Sequence, residues 1–404
     1  MPAVRIHGVD VDWVQFPAPR QIIMKDKNIY PEISIVLPCR NEEKGLPFCL
    51  EKIKKIIKEN NLSAEIIVSD SSSDDSPEIA QKNNVILLKH DKDGYGIAIL
   101  EAFKIAKGDY IFMADADGTY DFSEIPDFIK QLKKGNDLIL GNRFGGKIEN
   151  GAMPFLNRYL GNPALSFVLR LFFFTKIKDS HTGMRAIRKS VLEKINLRTT
   201  GMEFASEMII KAIKNGLKIK ETPINYYKRK GNSKLRPFSD AWKHLRFMLL
   251  YSPLFLFFIP GAFLFLIGTL SMVWLYFGAP NFLGLKLYYH PMFFSSALIV
   301  IGYQLIIFSA FAKSYAINHL GEKSEFMQKI YNLITIERAI IAGILIIIIG
   351  ALVYIIIIAK WVSSGFGSLN EIKNSIVGLT FIIFGVQTIF SSFMLSILSI
   401  KEKE

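Results

Sequence analysis

Four long apolar runs in the C-terminal part of the chain constrain its fold more than any other feature. They cover residues 253–278, 291–312, 339–359 and 375–400, and none contains a charged residue. Each run is long enough to cross a hydrocarbon core of about 30 Å as an α-helix. A buried helix of a soluble protein could account for one such run. Four in succession predict an all-α transmembrane domain of four helices over residues 253–404.

Basic residues near the ends of these runs predict the orientation of the membrane domain. They flank the connection between the second and third runs and follow the fourth: Lys313, Lys323, Lys329, Arg338, Lys401 and Lys403. Because Lys and Arg concentrate on the cytoplasmic side, we expect that connection, the C-terminus and the large N-terminal domain in the cytoplasm. The sequence therefore predicts an integral protein of the cell membrane, or of the endoplasmic reticulum in a eukaryote.

The N-terminal part of the chain alternates strand-like and helix-like segments. Residues 1–31 form an extension that lacks the apolar segment of a signal peptide, and no function is predicted for it. Within residues 32–236, buried strands are predicted at ISIVLP, AEIIVSD, NVILLKH and DYIFMADAD, with helices between them. This order predicts a Rossmann-like α/β domain with a parallel sheet, in which ligands bind at the carboxyl ends of the strands.

Polar residues follow three of these strands, at the edge where ligands are expected. PCRNE (38–42) follows the first strand, the second ends at Asp70, and the fourth ends in Asp115-Ala116-Asp117. Carboxylates this close repel one another unless a cation or a ligand lies between them. Because hard oxygen ligands suit Mg²⁺ or Mn²⁺, Asp115 and Asp117 are predicted to bind one of these ions together with a diphosphate. The alternative is a solvated acidic turn, which the neighbouring Asp70 disfavours.

The positive charge of the chain is concentrated in one stretch. The formal net charge is +13, and residues 143–246 alone hold 22 Lys and Arg against 7 Asp and Glu. Such an excess indicates anionic partners: nucleic acid, lipid headgroups or phosphorylated substrates. Because the stretch adjoins the membrane runs and contains no nucleic-acid motif, we expect the lipid bilayer and phosphorylated substrates as partners, and no nucleic acid.

The motifs resemble those of family 2 glycosyltransferases, which have the GT-A fold. PCRNEEKGL, IIVSDSSSDDS and MADADGTYD are similar to the nucleotide-sugar-binding half of that family. LILGNRF, MPFLNRYLGN, DSHTGMRAI, GMEFASEM and YYKRKGNSKLRPFSDAWKHLRFMLLYSP resemble the polyprenyl-phosphate glycosyltransferases, which include dolichol-phosphate mannose and glucose synthases. The resemblance covers residues 32–252. It implies an inverting enzyme that moves one hexose from a UDP- or GDP-sugar to a polyprenyl or dolichyl phosphate.

The resemblance also implies roles for individual residues. The nucleotide would be bound by Pro38, Arg40, Asn41, Glu42, Asp70, Asp115, Ala116 and Lys234. The metal, Mg²⁺ or Mn²⁺, would be bound by Asp115 and Asp117. The lipid phosphate would be bound by Arg143, Arg158 and Ser233, while Arg229 and Lys234 would face the donor diphosphate. Asp115, Asp117, Arg143, Arg158 and Arg229 are the predicted catalytic residues. Thr119 stands where some mannose synthases have a Gln metal ligand, so glucose is placed slightly ahead of mannose.

Residues 237–252 combine Trp242 and several apolar residues with Lys243 and Arg246, which is typical of an amphipathic helix at the headgroup level. Such a helix would hold the active site close to the bilayer plane. A plain leader into the first spanning helix is the alternative.

The sequence does not decide the roles of two motifs within the positively charged stretch 143–246. Glu203 and Glu207 lie four residues apart on a predicted helix, so one of them could orient a sugar hydroxyl, or both could be ordinary helix-face residues. His181, two residues after Asp179, is interpreted as a turn residue rather than an acid–base group. A phosphate nucleophile is already ionised and requires no strong base.

Two other functions compete with single-hexose transfer. A processive polysaccharide synthase of the same fold would normally carry a QxxRW motif, which the sequence lacks. A non-catalytic lipid transporter or scaffold would not need the full set of Asp and Arg residues in the motifs. The sugar, the nucleotide, the acceptor length and the formation of a homo-oligomer stay open.

Overall fold

The computed structural model describes residues 30–231, 237–278, 281–282, 285–319 and 335–399. Nearly all of the N-terminal extension therefore lies outside the described residues, and so do Ser233 and Lys234, which were predicted to contact phosphate.

A seven-stranded sheet forms the centre of the N-terminal half, with the strand order β3-β2-β1-β4-β6-β5-β7. The strands are β1 Ile33–Cys39, β2 Ala64–Asp70, β3 Ile86–Lys89, β4 Tyr110–Met113, β5 Leu138–Asn142, β6 Arg185–Arg188 and β7 Ile219–Pro223. The predicted α/β class is confirmed, and the four strands predicted from the sequence, β1 to β4, pair with one another in parallel. The sheet also contains an antiparallel strand that the sequence did not predict. β6 pairs antiparallel with both β4 and β5. The chain reaches β6 through a long excursion over residues 143–184 rather than through a simple crossover helix, so it enters the sheet from the opposite end.

Helices cover both faces of this sheet. They are α1 Leu46–Glu59, α2 Ser76–Lys82, α3 Tyr95–Ile105, α4 Ile125–Lys133, α5 Asn162–Phe173, α6 Leu192–Ile195, α7 Phe204–Lys214 and α8 Pro237–Leu250. Side chains alternate along β1, so Ile35 and Leu37 join a core with α1 and α4. Val36 points to the other face, where the core includes α3, α5, α7 and α8. The result is a three-layer α/β/α arrangement that leaves the strand ends free for ligands.

Four long apolar helices follow, as the sequence predicts. They are α9 Ile259–Phe277, which is preceded by a π-helical turn at Leu254–Phe258, α10 His290–His319, α11 Ile336–Ser363 and α12 Ile372–Ser399. Between α9 and α10 lies a short hairpin, in which β8 (Asn281–Phe282) pairs with β9 (Leu285–Lys286).

Glycines allow these four helices to approach one another closely. A Cβ atom added at Gly302 of α10 would lie 2.4 Å from the backbone nitrogen of Phe265 in α9, and one at Gly385 of α12 would lie 2.5 Å from the Gly343 carbonyl oxygen in α11. Polar side chains add contacts between α10 and α12, including a 2.8 Å hydrogen bond between the Tyr303 and Thr388 hydroxyls. Small residues and buried polar pairs of this kind are typical of helix packing in membranes.

Candidate active site

The carboxyl ends of β1 and β2 lie side by side, which brings the first two predicted motifs together. Cys39 at the end of β1 is in register with Asp70 at the end of β2. Asp70 is fully buried, and its carboxylate accepts hydrogen bonds from the Ser72 backbone nitrogen (3.2 Å) and hydroxyl (2.5 Å). Asp70 therefore shapes the turn after β2 and does not point into open solvent.

The loop after β1 is tied to this turn. Asn41 adopts a φ of 51°, its backbone N–H donates to Ser72 Oγ at 2.7 Å, and its side-chain oxygen accepts from the Ser73 N–H at 2.8 Å. Arg40 is exposed and forms a 3.1 Å ion pair with Asp93. Pro38 lies within β1 in register with Ser69. Of the predicted nucleotide-contacting residues, Asn41 mainly positions the loop, while Arg40 lies just after the carboxyl end of β1.

Asp115 and Asp117 follow β4, which is the neighbour of β1 in the sheet. Asp117 is buried, and its Oδ1 accepts from the backbone nitrogen (2.9 Å) and the hydroxyl (2.6 Å) of Thr119. Asp115 packs against Gly183, where a Cβ atom would lie 2.5 Å from Asp115 Oδ2. Ala116, between the two, is buried. Both carboxylates therefore have fixed positions at the ligand-binding edge.

The electrostatics of the pair favour a bound cation. Burial, and then the Asp117 carboxylate, raise the pKa of Asp115 to about 7, while Arg229 and Arg143 act in the opposite direction. The Glu42 carboxylate also contributes to the rise. Asp115 and Asp117, too close to be charged together at no cost, offer hard oxygen donors that suit Mg²⁺ or Mn²⁺. Among the described residues, no group of three or more His, Cys, Asp or Glu side chains is arranged to hold a metal ion.

Arg229 is brought to the same place by the segment that follows β7. Its Nη2 is 2.5 Å from Asp117 Oδ2, and its Nη1 is 3.5 Å from Glu42 Oε1. The family resemblance implies that Arg229 faces the donor diphosphate. In the structure its guanidinium contacts Asp117, which is predicted to bind the metal ion, and Glu42.

Arg143 and Arg158 have very different surroundings. Arg143 is buried, and its Nε and Nη2 donate to the two oxygens of Asp179 at 2.7 and 2.8 Å. Burial would lower the pKa of Arg143, but the Asp179 carboxylate outweighs this and raises it further above its usual range. Arg158 is half-buried in a π-helical turn (Asn157–Gly161), with its guanidinium 5.5 Å from the centroid of the Tyr159 ring.

Comparison with known proteins places this site in a family. The family described as Glycosyl transferase family 2 matches residues 34–196, and the one described as Glycosyltransferase family 2 C-terminal transmembrane region matches residues 310–399. The low-salt glycan biosynthesis hexosyltransferase Agl6 of Haloferax volcanii is 37% identical over 375 residues, which are 93% of this chain and 91% of that protein. The chain belongs to glycosyltransferase family 2. It is an integral membrane glycosyltransferase with a GT-A domain.

Two further relatives are similar over about half of the chain. The dolichyl-phosphate hexose transferase of Haloferax volcanii is 31% identical over 213 residues, which are 52% of this chain and 90% of that protein. The dolichol-phosphate mannosyltransferase of Pyrococcus furiosus is 30% identical over 215 residues, which are 51% of this chain and 59% of that protein.

His181 of this glycosyltransferase belongs to a pair of histidines. Its ring is 4.2 Å from that of His244 on α8, and the two rings are nearly perpendicular. His181 Nδ1 is 2.8 Å from Ser180 Oγ, and His244 Nδ1 is 2.9 Å from Ser206 Oγ. Burial lowers the pKa of His181 well below its usual value and that of His244 to about 4. Both rings are therefore neutral at pH 7, which supports a positioning role for His181.

The two glutamates of GMEFASEM also differ. Glu207 is buried, and its carboxylate accepts from the Arg198 and Thr199 backbone nitrogens and pairs with Lys211 Nζ at 2.6 Å. The interactions of its carboxylate are therefore with its own helix and the preceding loop. Within the part of the chain that the structure describes, Glu203 Oε2 is buried without a hydrogen-bond partner.

Three residues of the site were missed by sequence reasoning. Asp179 fixes Arg143, Tyr95 lies within electrostatic reach of Asp115, and Gly183 leaves room for the Asp115 carboxylate. Asp179 and Gly183 both lie in DSHTGMR, so this motif carried a signal that was interpreted only as a turn. Tyr95 carried none, because its position near Asp115 depends on how α3 packs against the sheet.

Proposed function

We propose that the protein transfers a single hexose from a nucleotide sugar to a polyprenyl or dolichyl phosphate, with inversion at the anomeric carbon. The observation that carries this proposal is the distribution of charge at one edge of the sheet. Glu42, Asp115 and Asp117 form an acidic side, and Arg143 lies within electrostatic reach of Asp115. The acidic side suits a metal-bound diphosphate, and the arginine side suits a second phosphate group.

The names of the relatives support the same substrates. One is a hexosyltransferase of glycan biosynthesis, and others act on dolichyl phosphate. The names specify a hexose and, in one case, mannose. For this chain we propose glucose or mannose as the sugar, UDP or GDP as the nucleotide, and glycan or glycoprotein assembly as the use of the product. The catalytic domain would face the cytoplasm, where nucleotide sugars are made.

The donor would bind across the ends of β1, β2 and β4. Glu42 and the loop shaped by Asp70 and Asn41 would hold the nucleoside, with Lys234 beside the diphosphate. Asp115 and Asp117 would hold Mg²⁺ or Mn²⁺. When bound, that ion would supply charge stabilisation to the leaving diphosphate.

The acceptor would reach the site from an apolar surface. The segment before α5 exposes Phe155, with 78% of its surface accessible, and also Tyr159 and Leu160, while α8 exposes Trp242. Arg158 lies among the first three of these residues, so its guanidinium is placed where a lipid phosphate would enter. A surface of this composition fits the headgroup level of a bilayer, as predicted for residues 237–252.

The reaction needs positioning more than acid–base chemistry. One phosphate oxygen of the lipid would attack the anomeric carbon while the bond between that carbon and the diphosphate oxygen breaks on the opposite side. The attacking oxygen is already ionised, so no proton has to be removed. Arg143, fixed by Asp179, would hold that phosphate in line, and the neutral histidine pair would take no part in proton transfer.

A donor panel tests the proposal. Purified full-length protein is incubated with polyprenyl phosphate, Mn²⁺ and one radiolabelled UDP- or GDP-hexose at a time, and the label extracted with the lipid is counted. We expect label in the lipid with one donor. Arg158→Ala should raise the KM for the lipid about tenfold with little change in the KM for the donor. No labelled lipid with any donor would refute the proposal, and label in a polymer would favour a processive synthase.

A further inference from the structure

The guanidinium of Arg229 lies between carboxylates from two different strand ends. It contacts Asp117 Oδ2 at 2.5 Å and Glu42 Oε1 at 3.5 Å. The other oxygen of Asp117, Oδ1, is held by two hydrogen bonds from Thr119. Oδ2 is therefore the oxygen through which Asp117 would bind a cation, and here it binds the arginine.

The backbone that carries Arg229 is fixed on the Asp115–Thr119 loop. Tyr226 forms a β-bridge with Tyr120, the Tyr227 N–H donates to the Thr119 carbonyl at 2.8 Å, and the Lys230 N–H donates to the Asp117 carbonyl at 2.8 Å. The Arg229 side chain is nevertheless 24% exposed, whereas that of Asp117 is buried beneath it. The guanidinium can therefore move toward solvent and uncover the carboxylate while its backbone stays in place.

We infer that Arg229 is a built-in counter-ion of the metal site, and that a divalent cation has to displace its guanidinium from Asp117 Oδ2. The inference rests on the metal site of the proposed function. Without a cation, the acidic groups would repel one another, and the guanidinium relieves this repulsion. With a cation and the donor diphosphate bound together, Asp117 Oδ2 would be a ligand of the cation, and the released guanidinium of Arg229 would bind oxygens of the diphosphate.

This exchange makes the site selective for the metal–donor complex over the free metal ion. A free cation must compete with Arg229 for Asp117 Oδ2. A cation that arrives with a diphosphate provides a new partner for the guanidinium. Arg229 thus ties metal binding to donor binding without any change in the fold.

Binding of Mn²⁺ alone to the purified full-length protein, followed by electron paramagnetic resonance, tests this inference. In the absence of nucleotide, Arg229→Gln should bind Mn²⁺ about tenfold more tightly than the wild type, because the competing cation is gone. Arg229→Lys, which keeps the charge but not the fork of donors, should fall between them. With saturating UDP or GDP, the advantage of Arg229→Gln should disappear.

Lys230→Gln is the matched control. It removes a neighbouring positive charge whose Nζ lies 3.8 Å from the centroid of the Phe48 ring rather than on a carboxylate. Its Mn²⁺ affinity should stay within about twofold of the wild type. Equal tightening in both Gln variants, or no tightening in Arg229→Gln, would overturn the inference, while transfer of hexose to lipid by the wild type would still uphold the proposed function. If no variant binds Mn²⁺ without nucleotide, the counter-ion role is also refuted.

Discussion

Arg143 and Arg158 are both predicted to bind the acceptor phosphate, but their surroundings differ. The Arg143 guanidinium is almost completely buried on Asp179, so its position is set before any substrate arrives. Arg158 lies beside the Tyr159 ring at an apolar surface and makes no ion pair among the described residues. We infer that Arg143 orients the acceptor phosphate, while Arg158 captures it at the membrane surface.

Removal of Asp179 should be costly because it leaves a buried guanidinium unpaired. Loss of one partner of a buried ion pair costs about 3–5 kcal/mol, so Asp179→Ala should lower the Tm by about 5–10 °C. Thermal unfolding of the purified protein in detergent measures this. Asp93→Ala breaks the exposed pair with Arg40 and serves as the control, with an expected change below about 2 °C. Equal shifts in the two variants would contradict the role of burial.

Glu124 should make stability depend on pH. Burial raises its pKa from 4.5 to about 7, while one of its oxygens accepts the Asn225 N–H at 2.9 Å. The folded state therefore binds the proton more tightly than the unfolded state between these two values. Stability from this group is present below pH 4.5 and is lost as the pH rises through 7. The Tm of the wild type should fall relative to that of Glu124→Gln between pH 5 and 8. Parallel Tm curves would show that Glu124 does not titrate in this range.

At the level of elements, two segments of the catalytic domain present apolar side chains on its surface. Phe155, Tyr159 and Leu160 precede α5, and Trp242 lies on α8. Phe172 of α5 stacks at 4.6 Å on Phe255, in the turn that leads into α9. The sequence predicts the α8 segment because Trp242 and several apolar residues occur there together with Lys243 and Arg246. The residues before α5 gave no such signal, because their apolar pattern equally fits a buried helix.

A charge on the surface before α5 should hinder access of the lipid. Phe155→Glu should raise the KM for a long-chain polyprenyl phosphate about tenfold and leave the donor KM unchanged, because a carboxylate at this position disfavours contact with the bilayer. Steady-state kinetics in liposomes measure both constants. Ile105→Glu places the same charge on an exposed apolar residue at the end of α3, far from the strand ends that form the site, and should leave both constants unchanged. A donor KM that rises equally would contradict the assignment of this surface.

The elements that could be predicted from the sequence are those whose causes lie within a short segment of the chain. β1, β2 and α1 were predicted because their apolar periodicity is contained in the segments themselves. The antiparallel pairing of β6 was not, because it depends on the path of the chain between Arg143 and Met184. The Arg143–Asp179 pair joins residues 36 positions apart, and the proximity of Tyr95 to Asp115 depends on helix packing. Neither is encoded in a local pattern.

The whole molecule combines a GT-A domain with four apolar helices, and most of the positive charge of the chain lies in the part that precedes the helices. Residues 143–246 carry the positive excess, and they include the described segments with exposed apolar side chains. The acidic strand ends come from residues 32–142, and Arg229 of the basic stretch reaches them. We infer that the nucleotide sugar enters from the cytoplasm and the lipid from the bilayer, so that the two phosphate groups meet between them.

The orientation of the membrane domain is a prediction at this scale. Four spans and a cytoplasmic catalytic domain place the C-terminus in the cytoplasm and the connection between α9 and α10 on the opposite side. Fusion of a fluorescent protein to the C-terminus should give fluorescence, and alkaline phosphatase at the same place should be inactive. Insertion of the phosphatase between α9 and α10 should give activity. The reverse pattern would show that the orientation is wrong.

The mass of the lipid product tests the central claim most directly. Purified protein with its donor, polyprenyl phosphate and Mn²⁺ should yield a lipid heavier than the acceptor by a single hexose. Asp117→Asn should reduce its formation at least about 100-fold through loss of the metal ligand, whereas Asp127→Asn, an exposed carboxylate on α4, should not change it. A product with several hexoses, or full activity of Asp117→Asn, would contradict the account.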